Sequence, residues 1–239
     1  MIYAFWLAKG GTGKTTLATN VAYLSEKRTI LIDADPQGNA SSYLLNGLPG
    51  GELVGVLSGQ AILEGALTMR DHLTILPTMP GSTLKQWSES QLMQTPYVFD
   101  DLNKQLKSLG YDQIIYDLGP GLSMLERCIL LSVDEVVSPV LAESFSVTGV
   151  STALESIKEI AAAYRTEIAH RRIVVNMING RFRRHEQALK EYREMEYLMY
   201  EIPQDARLAE AQYMGQPLAI YAPKAKSLPE IRRLAKEME

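Results

Sequence analysis

Short continuous apolar runs alternate with stretches whose apolar residues recur at helical spacing. The runs are Ile2 to Ala8, Thr29-Ile30-Leu31-Ile32, Leu73 to Leu76, Gln113 to Tyr116, Glu135 to Val140 and Arg172 to Met177. Their length and bounding turns predict buried strands. Between them, Thr15 to Lys27 carries Leu17, Val21 and Leu24, and Val98 to Leu109 carries Leu102, Leu106 and Leu109 before Gly110 stops it. Further helices are expected from Leu122, over Val150 to Tyr164, and over Ser227 to Glu239. The segment Glu143-Ser144-Phe145 to Thr148-Gly149 leads into the second of these. Alternation of this kind is that of an α/β chain. The pattern is weakest from Ser41 to Thr95. There Glu52 to Leu57 predicts a short helix, and the Gly, Ser, Pro and Met of residues 77–82 a loop. Trp87 and Tyr97 are either core anchors or loop aromatics offered to a partner.

At 239 residues with no break in composition, one large domain is expected. No run reaches the roughly 20 apolar residues that cross a bilayer. The apolar start has no basic segment ahead of it, so a signal peptide is not expected and the cytosol is. The single cysteine, Cys128, lies in the apolar run Cys128-Ile129-Leu130-Leu131 and reads as a core residue. It excludes an internal disulfide and a one-chain Cys₄ metal or iron–sulfur site. A net charge of −4 leaves nucleic-acid binding to a local patch.

The candidate chemistry begins behind the first strand, at Lys9-Gly10-Gly11-Thr12-Gly13-Lys14-Thr15-Thr16. A strand, a glycine-rich turn and a helix make a phosphate-binding loop. Main-chain N–H groups of Gly10 to Gly13 can approach phosphate oxygens, and the helix start near Thr15 adds its positive end. Lys14 reaches the β- and γ-phosphates, and the Thr15 hydroxyl is placed for Mg²⁺. The bland alternative is a glycine-rich turn without a ligand. Two further strand ends are acidic. Asp33-Ala34-Asp35-Pro36-Gln37-Gly38-Asn39 follows the second strand, and Asp117-Leu118-Gly119-Pro120-Gly121 follows another. Strand C-termini are where open α/β sheets bind ligands. Asp117 fits the strand-end carboxylate that holds a Mg²⁺-bound water. The competing readings are an Asp-Pro-Gly turn for the first and a cap of the helix from Leu122 for the second.

The phosphate-loop pattern would want glycine at position 8, where this chain has Ala8 followed by an extra Lys9. Lys-Gly-Gly-x-Gly-Lys-Thr-Thr resembles the deviant Walker A loop of the ParA/MinD family of ATPases. Asp33 to Ala40 looks like that family's switch I, and Ile202-Pro203-Gln204-Asp205 through Leu208, Glu210-Ala211 to Gly215-Gln216-Pro217-Leu218 resembles the C-terminal block of ParA-type members. The likeness runs from residue 2 to the C-terminal helix and is weakest between 41 and 110. Leu-Gly-Pro-Gly after Asp117 departs mildly from the family's switch II.

That resemblance implies a doubly wound, mostly parallel sheet with helices on both faces. Residues 1–239 would form a single P-loop ATPase domain with no N-terminal helix-turn-helix extension. ATP and Mg²⁺ are the implied cofactors. Lys9 and Lys14 would offset charge on the transferring phosphoryl group, Lys9 acting on the nucleotide of the partner subunit. Asp35 would orient the attacking water, with Asp33 and Asn39 near the metal and the γ-phosphate. The metal set is Thr15, Asp35 and Asp117. Gly10 to Thr16 would hold the phosphates, and Asn176, Pro203 and Asp205 would lie at the base. A turn-capping Asn is the other reading of Asn176.

The resemblance further implies a homodimer in the ATP state, nonspecific binding of nucleoid DNA and a ParB-like activating partner. Candidate DNA contacts are Arg181, Arg183, Arg184, Arg207, Lys224 and Lys226, which could neutralise phosphates without reading bases. Singly, each is also an ordinary solvated cation. The rival is a MinD-like membrane-associated positioning ATPase, which needs a free apolar face on the C-terminal helix. Leu228, Ile231, Leu234, Ala235 and Met238 form such a stripe, and such stripes are normally core packing. A kinase, synthetase or reductase on the same loop is a third class, and the missing cysteines oppose its iron–sulfur branch.

Overall fold

The computed structural model describes residues 1–45 and 47–239, and of residues 144–148 the backbone only. Eight strands, β1 (Ile2–Phe5), β2 (Thr29–Ala34), β3 (Thr68–Arg70), β4 (Leu73–Leu76), β5 (Gln113–Leu118), β6 (Glu135–Leu141), β7 (Ala169–Ile178) and β8 (Leu198–Pro203), form one sheet. Their order is β3-β4-β2-β5-β1-β6-β7-β8, and every pairing is parallel except β3 with β4. The continuous apolar runs follow from this, because the central strands are covered on both faces.

Side chains alternate between two cores. Ile2 and Ala4 of β1, with Trp6 just beyond it, face one core, and Tyr3 and Phe5 the other. On the first face pack α3 (Leu53–Leu57), α4 (Leu63–Ala66), α5 (Leu84–Gln91), α6 (Val98–Ser108), α7 (Met124–Leu131), α8 (Ser144–Tyr164) and α9 (Arg183–Arg193). On the second pack α1 (Lys14–Leu24), α2 (Asn39–Leu44), α10 (Ala206–Tyr213), α11 (Leu218–Tyr221) and α12 (Leu228–Glu237). Cys128 is buried in the first core, as its apolar run predicts, and Trp87 packs at its margin, whereas Tyr97 is exposed.

The helix expected from Val150 begins at Ser144, so Gly149 lies inside it and does not end the preceding turn. The side chains of residues 144–148, including Phe145 and Thr148, lie outside the described set. The C-terminal stripe is core packing. Leu228, Ile231, Leu234, Ala235 and Met238 are all buried against the second face. This leaves α12 no free apolar face for a bilayer, and among the described residues no helix is long and apolar enough to cross one.

Candidate functional site

The C-terminal ends of β1, β2, β5 and β7 carry the site. Past β1 the chain turns through Gly11 (φ 72°) and Gly13 (φ 93°) into α1. Gly13 is fixed by space as well as by backbone. A Cβ there would lie 2.2 Å from Asn176 Nδ2. Asn176 is buried at the end of β7, where its Nδ2 donates to the Thr12 carbonyl (3.0 Å) and its Oδ1 accepts from Met177 N–H (2.9 Å). The side chain expected at a purine edge thus braces the phosphate loop from behind.

Lys14 is buried, and its Nζ donates to the Lys9 carbonyl at 3.1 Å. Burial lowers its pKa, against the opposing pull of Asp117, Asp35 and Glu126. Lys9 points elsewhere. Its ammonium lies half-exposed, 3.7 Å from Glu143, and it does not line the cavity beside the loop. That cavity, of about 420 Å³, is bounded by the loop residues Gly10 to Thr16 together with Asp35, Gln37, Asn39, Pro120 and Gln212.

Asp117 is fully buried, and neither carboxylate oxygen has a hydrogen-bond partner among the described residues. Its pKa is raised well above the usual range. Burial dominates, the Asp33 and Asp35 carboxylates add to it, and Thr15 and Lys14 oppose it. Such an acid asks for a cation. Among the described residues no three His, Cys, Asp or Glu groups converge to hold one alone. A carboxylate and a hydroxyl beside a phosphate cradle suit Mg²⁺, which binds through few protein oxygens plus phosphate. Asp117 does not cap the next helix. Ser123 does, in a capping box with Glu126, so that reading of Asp117 falls away.

Asp33 is not free for a metal. Its Oδ2 accepts from the Ser41 N–H (2.7 Å) and hydroxyl (2.6 Å), its Oδ1 accepts from Asp35 N–H, and Thr78 donates to its carbonyl. Burial, with the Asp35 charge, pushes its pKa up to about 7, although the Ser41 and Asp35 hydrogen bonds hold it down. It therefore anchors the loop that presents Asp35. Asp35 Oδ1 accepts from Gln37 N–H (3.0 Å) and would stand 3.2 Å from a Cβ at position 119. That close approach accounts for glycine in Leu-Gly-Pro-Gly. The second glycine of that run, Gly121, has φ 100°, and its carbonyl accepts from the Trp6 indole N–H.

A second cavity of about 680 Å³ adjoins the first, with Asn176, Pro203 and Asp205 in its wall as expected at the base. Asp205, however, is already committed. It caps α10 through Arg207 N–H and accepts from the Ser227 N–H and hydroxyl, each at 3.0 Å. Partial burial works to raise its pKa, yet these hydrogen bonds bring it below the ordinary value. The six candidate DNA residues divide. Arg181 and Lys226 rim this second cavity, while Arg207, Lys224 and Lys226 surround a smaller one. Arg183 and Arg184 open α9, with Arg184 stacked on Phe182. Arg207 also pairs with Glu210 at 3.6 Å.

Three participants escaped the sequence. The Ser123–Glu126 capping box had a readable S-x-x-E signal. Ser41 and Gln212 had none, because their partners lie 8 and 196 residues away.

Four similarities to known proteins bear on this site. A family profile described as an AAA domain matches residues 1–170. The chain is 35% identical to the chromosome-partitioning ATPase Soj of Thermus thermophilus, over 96% of this chain and 92% of that one. It is 33% identical to the uncharacterized protein BBD21 of Borreliella burgdorferi, over 97% and 96%. Among solved structures it is similar to the septum site-determining protein MinD of Pyrococcus horikoshii, solved with Mg-ADP. The TM-score is 0.81 and the identity 25%, covering 100% of this chain and 95% of that one.

Proposed function

The chain belongs to the ParA/MinD family of P-loop ATPases, and on that premise we propose that it works as an ATP-gated dimer that grips DNA and positions a cargo. It is a partition ATPase that hydrolyses ATP with Mg²⁺, in keeping with its Soj relatives and with a structural neighbour that carries Mg-ADP. Phosphates would lie in the smaller cavity, against the loop N–H groups and Lys14, and the base in the larger. Thr15 and Asp117 would hold Mg²⁺, which would supply charge neutralisation to the bound phosphates. Asp35, anchored through Asp33, would orient the attacking water.

One observation carries the dimer. Of the two loop lysines, Lys14 is folded into its own phosphate cavity and Lys9 is turned out of it, half-exposed. A cation that does not serve its own site is available to a neighbour's. ATP then favours the pair because only there does the γ-phosphate gain the second lysine. Arg181, Lys226, Lys224 and Arg207 lie on adjoining cavities, and with Arg183 and Arg184 at the start of α9 they would supply cations for DNA phosphates. A ParB-like or cargo-bound protein would stimulate hydrolysis and release the pair. The burial of the α12 stripe favours DNA over membrane as the surface that is gripped.

The test is mass by light scattering under saturating Mg-ATP. Asp35→Ala should hold ATP unhydrolysed and run at twice 26.6 kDa. Adding Lys9→Ala should return it to the single-chain mass. A single-chain mass for Asp35→Ala with ATP bound would remove the dimer from the proposal.

A further inference from the structure

We propose that Gln212, an unmatched position inside the C-terminal block, contacts the nucleotide at the joint between its α-phosphate and its ribose. Among the described residues only two line both the phosphate cavity and the base cavity, Thr16 and Gln212. A nucleotide laid across the two cavities passes its sugar–phosphate joint between them. The inference rests on that placement.

The side chain is prepared for a ligand. Gln212 is half-buried near the C-terminal end of α10, and its Oε1 accepts from the Thr16 hydroxyl at 2.9 Å. Both donors of its amide nitrogen remain without a partner among the described residues, though an amide has two N–H groups to satisfy. At the joint the nucleotide offers acceptors, the α-phosphate oxygens and the ribose hydroxyls. The chemistry therefore matches donor to acceptor.

Its position is also held firmly. Asn20 of α1 accepts from Leu218 N–H (2.7 Å) through Oδ1 and donates from Nδ2 to the Thr16 carbonyl (2.7 Å). Tyr43 of α2 donates to the Gln216 carbonyl (3.0 Å). The segment from 212 to 218 is thereby pinned to the helix that starts at the phosphate loop. A donor fixed in advance loses little freedom on binding.

The experiment is calorimetric titration of the full chain with Mg-ADP, alongside thermal unfolding. Gln212→Ala should weaken Mg-ADP about tenfold, the scale of one lost hydrogen bond, with an unchanged melting temperature. Gln212→Glu keeps an acceptor for Thr16 but replaces the donors with a negative charge, and it should bind more weakly still. If Gln212 served only to hold Thr16, the Glu variant would bind like wild type, and that result overturns the proposal. So does Gln212→Ala binding within twofold of wild type. Repeating the titration with 2′,3′-dideoxy-ADP identifies the acceptor. A deficit that vanishes assigns the ribose hydroxyls, and one that persists assigns the α-phosphate, either result supporting the contact. Wild-type chain that bound no Mg-ADP would be a different failure, that of the site itself.

Discussion

The two edges of the one sheet treat buried charge in opposite ways. At the C-terminal edge Asp117 is sealed from water with both oxygens unpartnered, and its neighbours are two more carboxylates. At the N-terminal edge charged groups pair with one another or with the backbone, although Glu135 Oε1 and Arg172 Nε have no hydrogen-bond partner of their own among the described residues. Arg172 of β7 pairs with buried Glu135 of β6 and donates to the Glu237 carbonyl. Asp134 accepts from Ile2 N–H (2.7 Å), and the Met1 ammonium donates to the Asp112 carbonyl (2.9 Å). One edge spends its charges on holding the fold. The other keeps a buried carboxyl whose ionised form is opposed by burial and by two neighbouring carboxylates and only partly offset by Lys14, a group that a bound cation would relieve.

The largest expected effect breaks the comparison at Asp117. Asp117→Asn should abolish Mg²⁺-dependent ATP hydrolysis while stabilising the nucleotide-free chain by about 1–3 kcal/mol, since a carboxylate costly to bury becomes a neutral amide. Urea unfolding without nucleotide at pH 8 measures the second part. A destabilised variant would mean that the carboxylate is already satisfied in the free chain.

The mirror experiment has the opposite sign. Arg172→Met leaves Glu135 buried without its partner, and should cost roughly 3–5 kcal/mol. Affinity for Mg-ADP, measured below the unfolding transition, should not change. Pairing it with Glu135→Leu should recover most of the loss, because two apolar groups replace the ion pair. An equal loss in the double variant would show that the pair is not the source.

The same contrast explains what was legible in the chain. The active edge announces itself because its demands are local. A loop that wraps phosphate needs Gly11 and Gly13, and a strand that presents a carboxylate ends in one, so Lys14, Thr15, Asp35 and Asp117 all fall together where the motifs place them. The continuous apolar runs likewise gave every central strand, since burial on both faces removes polar positions. What could not be read is long in range. Asn176 and Asp205 line the larger cavity, but their side chains also bond Thr12 and Ser227, contacts that no spacing encodes. Residues 41 to 95 give a weak pattern because β3 is an edge strand of three residues with Met69 exposed, and α4 has only four, too short for a period to register. The α12 stripe reads as core packing before it reads as a membrane face, and its burial against the second core, with Tyr3 and Gln113 donating to the Met238 carbonyl, fixes the first use.

The smallest expected effect sharpens the N-terminal edge and turns on pH. His170 of β7 lies beside Ser138 and Tyr197. Ser138 Oγ donates to the Trp6 carbonyl (2.8 Å), so it accepts from His170 Nε2–H (2.9 Å), leaving Nδ1 to accept from the Tyr197 hydroxyl (3.3 Å). The neutral ring is thus satisfied on both sides, and burial pushes its pKa down to about 4. In the unfolded chain it returns to about 6.5. Above pH 6.5 neither state binds the proton and the contribution is complete. As pH falls from 6.5 toward 4, the unfolded chain takes up a proton that the folded chain refuses, so stability is lost, with a ceiling of roughly 3 kcal/mol. His170→Gln retains an N–H for Ser138 and has no such titration. The difference between its urea midpoint and that of wild type should therefore shift in the variant's favour between pH 7 and pH 5, by about 2 kcal/mol when converted to free energy. Carboxylates common to both chains cancel in that difference. A difference that stays flat over this range would mean that the folded ring takes up its proton as readily as the unfolded one, and the N-terminal edge would then hold a charge that the geometry gives it no means of satisfying.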